Sequence, residues 1–192
     1  MTNREKIQQL AQYLPSITQI DNEDTAAAVA DVWLKALEMS PWDTLDQARF
    51  KEGMDSVTLI SHVNSSVECA LSMNQIIKKH HGIECDAQRL IVLGLLHDVD
   101  KTVQYVKNSQ GELVISDIGR KIQHGVLTAM WAREAGFDTD MLHLILTHTH
   151  DQNMRPAFRE GILFGYADLC DWEMTCKYTD PAPGAAFEAA AQ

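Results

Sequence analysis

No apolar stretch in the 192 residues approaches the roughly twenty needed to span a bilayer. The opening Met1-Thr2-Asn3-Arg4-Glu5-Lys6 leads into no signal-peptide core, so a cytoplasmic location is expected and a membrane partner is not. Cysteine is sparse. Cys69, Cys85, Cys170 and Cys176 are irregularly spaced without a Cys-x-x-Cys pair, which points to neither a disulfide frame nor a thiolate zinc site. Positive charge is also short: 16 Lys and Arg stand against 27 Asp and Glu, for a formal net charge of −11. Sequence-independent binding to a phosphate backbone rests on clustered Lys and Arg releasing counterions, so extended nucleic acid is disfavoured as a partner. A small phosphorylated ligand stays compatible, because a local cation or bound metal attracts an anion against the net charge. No repeat or internal linker interrupts the chain before Pro181-Ala182-Pro183-Gly184, where the pattern fades into a loose terminus or a short docking helix.

What is present is helical. The length suits one domain over 1–192 with a real core. Ala28, Val32, Trp33 and Leu37 recur at helical spacing, as do Leu59, Val63, Val67, Ala70 and Leu71 in a segment from about Asp55 to Lys79. After the turn His81-Gly82, Asp86 is a suitable N-cap for an apolar helix Leu90–Leu96 that ends in the doublet His97-Asp98. Residues 102–116 carry a small hairpin or irregular insertion, the single strand signal. Helices are expected again over about Asp117–Ala135, Thr139–His148 and Arg159–Trp172.

An apolar helix ending in imidazole and carboxylate is an unusual way to close a core, because buried polar groups need partners or a cation. His62 shares its helical stripe with Ser66, Cys69, Met73 and Ile76, and His97 lines up with Leu90 and Leu93, so both look inward. His148 shares a face with Met141, Leu144 and Ile145, whereas His150 falls with His143 and Thr147 on a more polar one, which favours His148 as the internal group. Asp168 follows Gly161, Phe164 and Gly165 on one face. His124 is set among Leu127, Trp131, Arg120 and Lys121, where it faces a cleft. Any one of these histidines taken alone is more often a hydrogen-bonded core residue than a ligand; their joint occurrence points to metal. Imidazole with carboxylate suits borderline divalent ions such as iron, manganese, nickel, cobalt or zinc, one or two per chain. Asp98 is the natural bridge, since a carboxylate offers two oxygens where an imidazole offers one lone pair.

These motifs resemble the HD-domain superfamily, an all-helical group named for such a doublet. The resemblance runs from about Val57 to Glu173. It rests on His62 in Ser-His-Val-Asn, His97-Asp98 in Leu-Leu-His-Asp-Val-Asp-Lys, His124 in Gln-His-Gly, His148 in Ile-Leu-Thr-His-Thr-His, and Asp168 in Tyr-Ala-Asp-Leu. It implies an all-α helical bundle with residues 1–49 packed around the motif core. By position it assigns His62, His97, Asp98 and Asp168 to one metal, and His124 and His148 to a second, with Asp98 shared. Many relatives carry adjacent histidines where this chain has His148-Thr149-His150, which leaves His148 and His150 as alternatives at that place. Lys101 corresponds to a lysine that points at the substrate anion.

The activity implied is metal-dependent hydrolysis of a small phosphate ester, nucleotide or cyclic nucleotide, with Asp98 and Lys101 as catalytic residues. Lys101, Arg120, Lys121, Arg155 and Arg159 are the candidates for receiving substrate phosphate. Two other readings are a dinuclear iron oxygenase and a non-catalytic domain that binds a nucleotide or a partner; the motifs fix no oligomeric state.

Overall fold

The structure, a computed structural model, describes residues 1–54, 56–149 and 154–178. Its helices begin where the chain supplies a cap. Thr2 and Glu5 form a capping box at α1 (Asn3–Ala11), and Asn22 accepts from Thr25 at the start of α2 (Glu23–Met39). Thr58 accepts from Ser61 to open α3 (Leu59–His81), which stops at Gly82 in the left-handed region, φ 66°. Asp86 caps α4 (Ala87–Leu96) through the amides of Gln88 and Arg89. A short α5 (Lys101–Gln104) runs into a hairpin of β1 (Tyr105–Lys107) and β2 (Leu113–Ile115), antiparallel with Val106 opposite Val114. Then come α6 (Asp117–Lys121), α7 (Val126–Glu134), α8 (Thr139–Thr147) and α9 (Arg159–Tyr178).

The mostly helical fold with one hairpin is the one the sequence implies. Two boundaries differ. The segment expected to be helical from about Asp55 begins at Leu59, because the preceding residues fold back on themselves. Leu59 N–H donates to the Ala48 carbonyl at 2.9 Å, Phe50 N–H donates to Val57 O at 3.2 Å, and Arg49 bridges Thr58. Asp55 itself lies outside the described residues. The helix expected over Asp117–Ala135 is broken between α6 and α7, where Gly125 takes φ 84° and its N–H is held at 2.6 Å by the Asp100 carboxylate.

Helix α4 lies against α3, α9, α8 and α2, and every residue from Leu90 to Leu96 is buried. Burying all sides of one helix suits an apolar run without polar stripe. The crossing is tight: a Cβ on Gly94 would stand 2.5 Å from Val67 Cγ2 and 3.0 Å from Phe164 Cε2. Two indoles from the N-terminal region close the core around the doublet. Trp33 Nε1 donates to Leu95 O at 2.7 Å and Trp42 Nε1 to Thr102 O at 3.0 Å, satisfying carbonyls on either side of it. Among the described residues no helix is long and apolar enough to cross a membrane, and the four cysteines are free thiols.

Replacing Gly94 by Ala should therefore overpack the crossing of α3, α4 and α9 and destabilise the protein by about 1–3 kcal/mol. A lowered urea midpoint with an unchanged slope is the expected result.

Candidate metal centre

The doublet reaches the centre of the molecule because α4 ends there. His97 is the C-cap of α4, and its Nδ1 donates to the Gly94 carbonyl at 2.7 Å. The end of α8 repeats the device: His148 is its C-cap, with Nδ1 donating to Ile145 O at 2.6 Å. Both helices thus aim C-terminal ends, where carbonyls place partial negative charge, at the same spot. The other two imidazoles are held by carboxylates. His62 Nδ1 lies 2.6 Å from Asp171 Oδ2 and His124 Nδ1 lies 3.0 Å from Asp100 Oδ1, the second pair without full hydrogen-bond alignment. An imidazole whose Nδ1–H is donated outward presents the Nε2 lone pair inward, the tautomer a metal requires.

The four Nε2 atoms converge around Asp98. His62 Nε2 is 3.2 Å from His97 Nε2, and His124 Nε2 is 3.2 Å from His148 Nε2. Asp98 Oδ2 is 3.2 Å from His62 Nε2 and 3.3 Å from His97 Nε2, while Oδ1 is 2.8 Å from His124 and 3.7 Å from His148. Asp168 Oδ1 joins the first group, 3.1 Å from His62 Nε2. Asp98 is 1% exposed, yet neither of its oxygens has a donor aligned for a hydrogen bond, although Lys101 Nζ stands 2.7 Å from Oδ2. The distances describe ion pairing around the carboxylate. A buried carboxylate ringed by inward lone pairs fits a divalent cation of borderline character. The chain thus holds two adjacent His/Asp clusters able to take metal, His62-His97-Asp98 and Asp98-His124-His148.

Without metal, protons take up the negative charge. Burial disfavours a charged His62, but bonding to Asp168, Asp171 and Asp98 outweighs it and pushes the imidazole up to about 10. Burial is likewise overcome at His124, where Asp100 and Asp98 raise the imidazole to about 9. His148 moves down, because burial and the charges of His124 and His97 outweigh the contact with Asp98. Burial would raise Asp98, but the charges of His97 and Lys101 and the contacts with His124 and His148 hold it well below the usual carboxylate range. For Lys101, burial lowers and the Asp98 and Asp168 charges raise; the net is upward, so the ammonium stays charged.

The six residues singled out as ligands are brought together, and Lys101 with them. The other basic candidates are not. Arg120 is exposed on α6, Lys121 pairs with Asp117 at 2.7 Å, and Arg159 donates to Glu84 O at 3.2 Å. Arg155 lines a separate cavity of about 360 Å3 that shares only His148 and Thr149 with the metal side. His150 lies outside the described residues. His124 sits in the α6–α7 turn instead of on a helix face, 23% exposed. Sequence reasoning missed Asp100 and Asp171, whose signal was their spacing, two and three residues after Asp98 and Asp168. It also missed Phe50, fully buried and packed on His62 with ring centroids 3.9 Å apart, with Lys101 Nζ over the same phenyl ring at 3.9 Å from its centroid.

Residues 59–173, more than half of the chain, match the HD domain family, and the chain belongs to that family. A curated relative, the dihydroneopterin 2',3'-cyclic phosphate phosphodiesterase of Methanocaldococcus jannaschii, is 26% identical over 114 residues. The match covers 59% of this chain and 45% of that protein, so this chain spans less than half the length of the relative. No solved structure matches.

Elemental analysis should find that Asp98→Ala removes metal from both clusters, whereas His148→Ala reduces the metal content of one and leaves the other. Because protons on His62 and His124 compete with metal, uptake near neutral pH should release protons, and apparent affinity should rise with pH until about 9–10. Calorimetry in buffers of different ionisation enthalpy reads that release directly.

Proposed function

We propose that this protein is a metal-dependent phosphohydrolase acting on a small phosphate ester, with nucleotides and cyclic nucleotides as the leading substrates. The observation that carries the reading is Asp98, shared by two ligand clusters and opening, with Lys101, onto a cavity of about 290 Å3. In this reading His62, His97 and Asp168 would hold one ion and His124 and His148 another, with Asp98 common to both sets. Divalent ions bound there would supply Lewis-acid activation of water and of the phosphoryl oxygens.

The chain's own groups do the rest. Asp100 and Asp171 fix the rings of His124 and His62, so that the site needs little reorganisation when charge develops. Lys101 is 14% exposed and remains protonated, so it serves as a fixed positive charge for a phosphoryl oxygen and not as a base. Membership of the HD domain family and the cyclic-phosphate substrate in the relative's name support the same chemistry.

Protein loaded in turn with manganese, cobalt, nickel, iron and zinc should hydrolyse at least one member of a panel of phosphomonoesters, nucleotides and cyclic nucleotides, in the absence of dioxygen. Asp98→Ala should abolish turnover, and Lys101→Met should lower kcat by about 10²-fold, the scale of one lost transition-state contact. Metal-replete protein silent on the whole panel, or turnover that requires dioxygen, would overturn the proposal.

A further inference from the structure

The cavity over Asp98 has a cation that the doublet does not account for. Its walls include Lys51, Tyr105 and Trp172 besides Asp98, Lys101, His124 and Asp168. Lys51 lies ahead of the segment that matches the HD domain family, so the family's motif residues do not include it. Its position is imposed from both sides. The preceding Phe50 is fully buried against His62, and the Phe50 N–H bonds to Val57 O across the same fold-back that bridges Arg49 to Thr58. The half-buried Lys51 side chain then crosses to α9, where Nζ lies 4.9 Å from the centre of the Trp172 ring.

The partner is unusual for a lysine in so acidic a protein. Lys6 and Lys121 at the surface sit on Asp31 and Asp117, and Lys101 inside the cavity is bound to Asp98. Among the described residues Lys51 has no carboxylate at ion-pair distance and rests on an indole face. An indole face attracts an ammonium but leaves its N–H donors unspent, so an anion entering the cavity can take them. Lys101 is already committed at the Asp98 end. Two cations in one small cavity, one beside the metal ligands and one at the aromatic wall, match a substrate with two separated anionic groups.

We propose that Lys51 is a specificity-determining residue that receives a second anionic group of the substrate, a group distinct from the phosphate being hydrolysed. The inference rests on the phosphoester reading and narrows it to phosphate esters that carry a second anionic group. Non-hydrolysable phosphonates test it on the full, manganese-loaded protein. Binding of phenylphosphonate is compared by calorimetry with that of 3- and 4-carboxyphenylphosphonate, for the natural protein, Lys51→Gln and Lys51→Arg, each checked for equal metal content.

The better carboxyphenyl isomer should bind about fivefold more tightly than phenylphosphonate, the scale of one charge pair at a half-buried site. Lys51→Gln should erase that advantage while phenylphosphonate affinity holds, and Lys51→Arg should keep most of it. An advantage that survives in Lys51→Gln, or no advantage in the natural protein, overturns this proposal alone. Failure of metal-loaded natural protein to bind phenylphosphonate at all would overturn the phosphoester reading and this one with it.

Discussion

Everything in this molecule is arranged around one buried carboxylate. Asp98 has lost its water without gaining an aligned hydrogen-bond donor, and an uncompensated charge in that position costs several kcal/mol in real proteins. The surroundings supply the compensation electrostatically. Four imidazoles and the Lys101 ammonium crowd its two oxygens, and two helix C-termini and two further carboxylates, Asp100 and Asp171, set those imidazoles in place. Remove the charge at the centre and each of these groups loses its reason to be where it is. The fold around it is tightly packed: α4 is apolar and buried from Leu90 to Leu96 and packs on α3 and α9 closely enough that a methyl group at Gly94 would not fit.

The same local solution is used twice. At His97 and at His148 a helix stops, the imidazole caps its own last turn through Nδ1, and Nε2 is left pointing forward. This places a ring with only short-range hydrogen bonding, three residues back along the chain, so it needs no distant partner to fix its tautomer. His62, within α3, and His124, in the α6–α7 turn, rely instead on carboxylates brought by α9 and by the stretch after the doublet. The strong ring orientation of the first pair and the looser Asp100–His124 contact follow from that difference.

How much of this was legible in the sequence depended on range. His62, His97 and His148 were readable as inward groups because each shares a helical stripe with apolar residues, and periodicity reports burial directly. Asp86 as a cap and the hairpin at 105–115 were readable for the same local reason. His124 was placed on a helix because Gly125 in isolation is a tolerable helix residue. Only the Asp100 carboxylate, 25 positions earlier, requires its N–H and holds the turn open. Phe50 and Lys51 carry no motif at all, since their meaning arises from a contact with His62 and Trp172 that no spacing encodes.

The indoles of Trp33 and Trp42 bear on where this protein can be divided. Each donates to a carbonyl flanking the doublet, and both belong to the stretch before residue 59, where the family match begins. Cutting the chain there would leave Leu95 and Thr102 with unanswered acceptors in an apolar interior, and would uncover His62 where Phe50 had shielded it. The boundary drawn by the family match therefore passes through packing and hydrogen bonds around the doublet. The leading residues thus supply donors and a ring face that the doublet's surroundings use, although no motif of the family lies among them.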